Sequence, residues 1–262
     1  MRPGIKLAWL LPALLLGLAL SGCSGFLEIE PLEPLPTSTP EPTLTPTATI
    51  VWFPPTSTPT PLPTREIIPT PEMLTGLGDL ILEDPMNRPG SWQLTESDLG
   101  RVLMGKNELA IAMAGSAGTL FSYRDEPAVD NFYMEVTTST SLCRSEDAYG
   151  LLFRSSGPDN TYRYAVSCEG QLRVERVYNY QGLTLQDWTP SGQVPIGAPI
   201  ELRLGVWANG KEIRLFVNDV YQFTITDPAL KAGSVGVFVR ATGNNAVTVN
   251  FRDLVIYSLN GQ

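Results

Sequence analysis

Histidine is the most informative absence, because none occurs among the 262 residues of the chain. Histidine is the commonest metal ligand among side chains and the commonest general base near neutral pH. Its absence excludes Ser-His-Asp triads and Cys-His pairs, together with the hydrolases that depend on them. It also argues against most metal-assisted catalysis, although not against calcium, which needs only oxygen ligands.

Basic residues are also scarce, with 18 Lys and Arg against 27 Asp and Glu and a net charge of −9. Nucleic-acid binding requires clustered Lys and Arg. We therefore expect no nucleic-acid partner.

The chain has no apolar run of full membrane-spanning length. The run from Ile5 to Leu20 is shorter than the roughly 20 residues that a transmembrane helix needs. It follows Arg2 and Lys6 and ends in small residues, which is typical of a secretory signal.

Residues 20–23, Leu-Ser-Gly-Cys, close this run. The tetrapeptide resembles the lipobox of bacterial lipoproteins, in which the cysteine is acylated and becomes the first residue of the mature chain. The resemblance implies a signal peptide over residues 1–22, lipidation of Cys23, and a membrane-anchored protein lying outside the cytoplasm or on the cell surface.

Residues 23–72 predict a disordered stalk, because from Pro31 to Glu72 the sequence is dominated by proline and threonine. Dense proline removes backbone donors and prevents helix or sheet from propagating. Such segments favour extended polyproline II conformers and act as semi-rigid spacers. The folded part is expected over residues 73–262 as one domain.

Two cysteines, Cys143 and Cys168, are left when Cys23 is set aside. An even pair in an exported domain predicts a disulfide. Tyr149–Arg154 and Thr161–Val166 read as a hairpin that would bring the two cysteines together. Two free thiols are the alternative.

The folded part reads as all-β. Phe132, Met134 and Val136 alternate with polar neighbours, as do the apolar residues of Ile200–Ala208. No segment shows a helical apolar period. Short strands at spacings near ten residues predict an antiparallel sandwich. The expected strands are Val102–Met113, Thr119–Tyr123, Asn131–Thr138, Tyr149–Arg154, Thr161–Val166, Gln171–Tyr178, Ile200–Ala208, Ile213–Val217, Tyr221–Ile225, Val235–Arg240 and Ala246–Ser258.

Several short motifs follow one another in a characteristic order along the folded part of the chain. They are Tyr149–Arg154, Asn160–Tyr164, Gly170–Arg173, Glu201–Leu204, Gly210–Asp219, Gly233–Phe238 and Phe251–Ile256. Their order resembles that of the concanavalin A-like, or laminin G-like, jelly rolls over nearly all of residues 79–258, and within that fold the sequence is most similar to 3-keto-disaccharide hydrolase-like domains. The resemblance implies two packed curved sheets, with the concave outer face as the ligand surface.

Strand alternation predicts that a set of aromatic and charged residues lies on outward faces. Trp188 and Tyr180 are expected in a loop between strands. Rings stack on sugars, and Arg and Glu hold hydroxyl groups, so these residues are a candidate glycan site. Ordinary solvated strand faces with weak cross-strand ion pairs are the alternative. The candidate residues are Tyr133, Glu135, Arg154, Arg163, Arg173, Glu175 and Trp188.

A catalytic site is not apparent in the sequence. Glycosidases of this fold carry a Glu-x-Asp-x-x-Glu strand motif, and the nearest segment, Glu96-Ser97-Asp98, lacks the third carboxylate. We predict no cofactor, with one alternative: a structural calcium held by Asp79, Asp84 and Asp253, where the first and last strands would run side by side.

The sequence therefore favours a membrane-anchored lipoprotein presenting a non-catalytic, carbohydrate-binding β-sandwich. One alternative is a structural or protein-interaction module of the cell envelope, with an envelope protein as its partner. Another is a diverged sugar hydrolase that uses Glu135 and a second carboxylate.

Overall fold

A computed structural model of the chain describes residues 72–243 and 245–260. Within these residues it contains fifteen strands and no helix, which confirms the all-β prediction. The signal peptide, Cys23 and nearly all of the predicted stalk lie outside the described residues. The strands are β1 Leu77–Asp84, β2 Thr95–Ser97, β3 Gly100–Met104, β4 Leu109–Met113, β5 Gly118–Val129, β6 Phe132–Leu142, β7 Ala148–Gly157, β8 Asn160–Ser167, β9 Gln171–Tyr178, β10 Gln181–Pro190, β11 Ile200–Asn209, β12 Glu212–Val217, β13 Val220–Thr226, β14 Gly233–Ala241 and β15 Val247–Leu259.

The strands form two antiparallel sheets. The nine-stranded sheet has the order β13-β12-β11-β6-β15-β4-β3-β2, with β1 also paired to β15. The six-stranded sheet has the order β10-β9-β8-β7-β14-β5. The long strand β15 pairs through its first half with β4 and through its second half with β1, so the first and last strands are neighbours as expected.

One hydrophobic core joins the inner faces of the two sheets. From the nine-stranded sheet it takes alternate residues of β6 and β11, such as Met134 and Leu204, which are fully or almost fully buried. From the six-stranded sheet it takes Leu151, Phe153 and Tyr164. The alternate apolar residues of β6 and β11 that the sequence pattern placed inward are thus core residues, as expected when one face of a sheet packs on the core.

The predicted hairpin and disulfide are both present. Strands β7 and β8 pair antiparallel, with Leu151 opposite Tyr164. Cys143 precedes β7 and Cys168 follows β8, and the two form a disulfide with their Cα atoms 5.6 Å apart.

Two details of the strand prediction are wrong. The segment predicted as one strand over Val102–Met113 is a hairpin of β3 and β4, turning where the Gly105 amide donates to the Glu108 carbonyl at 2.7 Å. The region predicted as a loop around Trp188 is the edge strand β10, which follows a turn at Asn179 and Tyr180. Both turn residues have positive φ, as two-residue hairpin turns require.

No helix in the described part of the chain is long and apolar enough to cross a membrane.

Candidate functional site

The predicted ligand residues do not share one face. Tyr133 belongs to a cluster on the outer face of the nine-stranded sheet. Trp188 packs against a different cluster, on the outer face of the six-stranded sheet. Alternation shows which side of its own sheet a residue occupies, but it does not show which sheet, so the sequence merged two surfaces into one.

Arg154 belongs to neither outer face and is not placed to bind a ligand. It is only 1% exposed, at a point where the pairing of β7 shifts register and φ is positive. Its guanidinium donates to the backbone carbonyls of Asp130, Gly210 and Leu230 at 2.7–3.1 Å. Arg154 therefore ties three connections together at one end of the sandwich.

On the nine-stranded sheet, Glu135 is held in an internal network. Its carboxylate accepts a hydrogen bond of 2.7 Å from the Tyr133 hydroxyl and lies 3.3 Å from Arg203 Nε. Arg203 is also paired with Asp219. Burial raises the pKa of Glu135 above its usual range, although the Tyr133 hydrogen bond and the Arg203 charge act in the opposite direction.

The start of the described chain covers part of this same face. Met73 and Leu74 pack on the cluster that contains Trp207. The Trp207 indole donates to the Thr75 carbonyl at 2.8 Å, and Arg214 donates to the Met73 carbonyl at 2.8 Å. The Arg214 guanidinium lies 4.1 Å from the Trp207 ring centre. This face is thus partly occupied by the chain itself.

The outer face of the six-stranded sheet carries an apolar surface, which we call the aromatic face. Its buried members are Tyr123, Leu152, Ala165 and Phe238, with Phe121 and Trp188 packed against them. Phe121 lies next to both Tyr123 and Phe238, at ring-centre distances of 6.0 and 6.4 Å.

Gly236, which lies on the aromatic face, allows the Tyr123 ring and Leu152 to come together. A Cβ there would lie 2.6 Å from the Ser122 carbonyl oxygen and 3.2 Å from carbon atoms of both Tyr123 and Leu152. Even an alanine would therefore clash with the Ser122 backbone and crowd both side chains.

An arginine cluster borders the aromatic face, consisting of Arg163, Arg173 and Arg240 around Glu175. Glu175 lies 3.0 Å from Arg173 Nε and 3.7 Å from an Arg240 nitrogen. The Arg173 guanidinium carbon lies 5.6 Å from the Trp188 ring centre, and that of Arg163 lies 5.0 Å from the Phe121 ring centre. Arginine stacked on aromatic rings gives a surface that is flat, positively charged and rich in donors.

A cavity of about 490 Å³ opens beside these residues, and we call it the Tyr123 cavity. This volume falls within the range of roughly 300–1,000 Å³ that is usual for ligand pockets. Its walls come from β5, β7, β14 and nearby connections. The lining residues are Gln93, Phe121, Tyr123, Asp125, Ala128, Ser155, Ser156, Gly157, Pro158, Gly233 and Ser234.

Tyr123 is the least satisfied polar group of this cavity. The residue is 6% exposed, and its hydroxyl makes no hydrogen bond of normal geometry within the described residues. Burial raises the pKa of Tyr123 to about 12, so the hydroxyl stays protonated near neutral pH. A buried hydroxyl without a well-formed hydrogen bond is costly, and the Ser155 side chain is the neighbouring group that offsets part of this cost.

The sequence reasoning missed Phe121 and Tyr123. The signal was present, because Thr119–Tyr123 was read as a strand and residues two apart share a face. Two aromatic residues on the face opposite Leu120 would have identified this surface.

The carboxylates proposed for calcium do not form a ligand group. Asp84 is buried and accepts hydrogen bonds from Trp92, Arg124 and the Met86 amide. Asp79 is exposed, and Asp253 is exposed beside Arg252. Residues 72–243 and 245–260 contain no cluster of three or more Cys, Asp or Glu side chains that could hold a metal ion. Glu96 forms an exposed ion pair with Arg101.

The sandwich is similar to several solved structures. A carbohydrate-binding module, CBM66 from Bacillus subtilis, aligns with a TM-score of 0.53 at 16% identity, over 64% of this chain and 96% of that chain. A Bacillus subtilis protein of unknown function with a galectin-like fold aligns at 0.52 and 12%, over 71% and 99%. The catalytic domain of a laminarinase, an endo-1,3-β-glucanase from Thermotoga petrophila, aligns at 0.51 and 8%, over 70% and 98%.

At these identities the likeness shows the fold, and it confirms the predicted jelly-roll sandwich. No family model matches the chain, and no curated protein is significantly similar to it.

Proposed function

We propose that this protein is a non-catalytic glycan-binding lipoprotein whose binding site is the aromatic face with the Tyr123 cavity. The observation that carries the proposal is a cavity of about 490 Å³ lined by Phe121 and Tyr123 and bordered by arginines. A flat apolar wall with few, well-placed polar groups is the usual composition of a small-molecule site.

The geometry suits a sugar in particular. A pyranose ring offers an apolar face of C–H groups, which can stack on Phe121 or Trp188, and a rim of hydroxyls, which need donors and acceptors. Ser156 lies exposed on the cavity wall and can do both. The hydroxyl groups of Ser155 and Ser234, on the same wall, already donate to backbone carbonyls and can only accept. The similarity of the fold to a carbohydrate-binding module supports the same assignment.

Binding without catalysis is proposed because of the state of the nearby carboxylates. Hydrolysis of a glycosidic bond uses two carboxyl groups, one of which must donate a proton. Glu175 is already engaged by two arginines, Arg173 and Arg240. Asp125 on the cavity wall accepts a hydrogen bond from Gln93.

A glycan array probed with the full chain, purified in detergent, tests this function. We expect a defined set of oligosaccharides to bind, and Trp188→Ala to weaken the same set because a stacking ring is lost. A matched aromatic variant on the other sheet, Tyr221→Ala, serves as control and should bind as the unaltered chain does. An array without a reproducible binder would contradict the proposal.

Anchoring through Cys23 is the second part of the proposal, and it rests on the lipobox-like residues 20–23. Two acyl chains give effectively stable membrane attachment. Radiolabelled palmitate should be incorporated into the unaltered chain but not into Cys23→Ser. Equal labelling of both proteins, or of neither, would contradict it.

A second candidate function is that of a diverged sugar hydrolase centred on Glu135. The raised pKa of Glu135 and the proximity of Asp219 through the shared Arg203 favour it, as does the resemblance to 3-keto-disaccharide hydrolase-like domains. Turnover of a keto-sugar or chromogenic glycoside by the unaltered chain, lost in Glu135→Gln, would establish this candidate. Absence of turnover would exclude it for the substrates used.

A further inference from the structure

The arginine cluster has an excess of positive charge in an otherwise acidic chain. Arg163, Arg173 and Arg240 surround one carboxylate, that of Glu175, while the chain as a whole carries a net charge of −9. Local complementarity, rather than net charge, determines which charged ligand a surface selects. A positive surface beside a sugar-sized cavity therefore points to a negatively charged ligand.

The three arginines are not equally engaged. Arg173 and Arg240 both contact Glu175, and Arg173 also donates to the Thr184 hydroxyl at 2.7 Å. Arg163 has no carboxylate within 4.0 Å among the described residues, and its Nε is buried there without a hydrogen-bond partner. Its one hydrogen bond in this part of the chain is a long one, 3.3 Å, to the Pro158 carbonyl.

Arg163 also borders the Tyr123 cavity. Its guanidinium lies over the ring of Phe121, and both Phe121 and Pro158 belong to the cavity wall. The Arg163 guanidinium therefore lies at the border of the cavity, next to two of its wall residues.

We propose that the site selects an acidic glycan, whose carboxylate or sulfate group binds Arg163 while its sugar ring lies against Phe121 and Tyr123. This inference rests on the proposed glycan-binding function and adds the chemical class of the ligand. Guanidinium pairs with either acid through two parallel N–H···O bonds. Both acids thus share the chemistry that Arg163 recognises.

The other carboxylates near the cavity determine where the acid group lies. Asp125 accepts from Gln93 Nε2 at 3.1 Å, and Asp159 accepts from Asn160 Nδ2 at 2.8 Å. Because like charges repel, the acid group lies at Arg163 and away from these two carboxylates.

The test uses matched pairs of oligosaccharides with the full chain in detergent. Each pair contains a uronate-bearing glycan and its carboxyl-reduced form, or a sulfated glycan and its desulfated form. We expect the acidic member of at least one pair to bind about tenfold more tightly. That preference should shrink as salt rises from about 50 to 500 mM, because salt screens the charge interaction. The uronate and sulfate pairs distinguish the two acids.

Variants of Arg163 assign the preference to this side chain. Arg163→Gln should bind acidic and neutral members equally, whereas Arg163→Lys, which keeps the charge but loses the fork, should retain part of the preference. Arg101→Gln, which alters an exposed arginine on β3, should behave as the unaltered chain does. If Arg163→Gln does not fold, the inference is tested by Arg163→Lys and by the salt dependence. An undiminished preference in Arg163→Lys, or a preference that salt does not reduce, would contradict it.

Two results would overturn the inference while leaving the proposed function intact: equal binding of acidic and neutral members, or an equal loss of both in Arg163→Gln. Absence of binding to any glycan would instead overturn the proposed function, and this inference with it.

Discussion

At the scale of single residues, the sandwich depends on a few buried polar groups with specific partners. Arg154 binds three backbone carbonyls, and Asp227 accepts from the Tyr162 hydroxyl at 2.6 Å and from Arg176. Such groups stabilise a fold only while every partner is in place, because a buried polar group left alone costs free energy.

Replacing Arg154 with methionine should therefore destabilise the domain strongly. The variant keeps an apolar stem but leaves the carbonyls of Asp130, Gly210 and Leu230 without this donor. At about 1–3 kcal/mol for each unsatisfied group, the free energy of unfolding should fall by at least 3 kcal/mol. Urea unfolding measures the change. Arg101→Met, at an exposed ion pair, should cost less than about 1 kcal/mol, and similar costs for the two variants would contradict this account.

Asp84 makes stability depend on pH in a defined direction. Burial alone would raise the pKa of Asp84, but hydrogen bonds from Arg124, the Met86 amide and Trp92 lower it below its usual range. A carboxyl group whose pKa is lower in the folded state stabilises the fold above its unfolded pKa of about 3.9. That contribution is lost as the pH falls through the folded pKa.

Asp84→Asn should thus be less stable than the unaltered chain at pH 7, and the difference should narrow as the pH falls below about 4. Urea unfolding of both proteins at pH 7 and pH 3 measures this. An undiminished difference at pH 3 would show that the ionised form of Asp84 is not what stabilises the fold.

At the scale of strands, the alternation of residues within a strand could be predicted from the sequence. The pairing of strands into sheets could not. Burial alternates along β6 from Met134 to Thr140 and along β11 from Glu201 to Leu204, so both the position and the inner face of each strand were predicted. Strand β10 is an exposed edge strand without a clear buried face, so its residues resembled a loop. The two outer surfaces were merged because sheet membership depends on long-range pairing, such as that of β14 between β7 and β5.

The disulfide joins the ends of one such pairing and should stabilise it. Cys143 and Cys168 close a loop with a sequence separation of 25, which predicts roughly 3.5 kcal/mol of stabilisation in the chain-entropy model. In the double variant Cys143→Ala with Cys168→Ala, the free energy of unfolding measured by urea denaturation should be lower by that amount. The unaltered chain should show no labelling of these two cysteines by a thiol reagent until it is reduced. Free labelling of both would refute the pairing.

At the scale of the whole described sandwich, the two outer faces differ in what already covers them. On the outer face of the nine-stranded sheet, residues 73–75 cover part of the surface. The same sheet carries ion pairs, including Glu135 with Arg203 and Arg252 with Glu201. The six-stranded sheet instead presents aromatic rings, a cavity and an excess of guanidinium groups. We therefore assign ligand binding to the six-stranded sheet, because residues 73–75 already cover part of the nine-stranded one.

The most direct test compares one aromatic deletion on each outer face by titration calorimetry with a glycan that binds the unaltered chain. We predict that Phe121→Ala, on the six-stranded sheet, weakens binding at least about tenfold, while Tyr221→Ala, on the nine-stranded sheet, leaves the affinity unchanged. Full binding by Phe121→Ala together with loss of binding by Tyr221→Ala would contradict it, because the ligand would then lie on the opposite face.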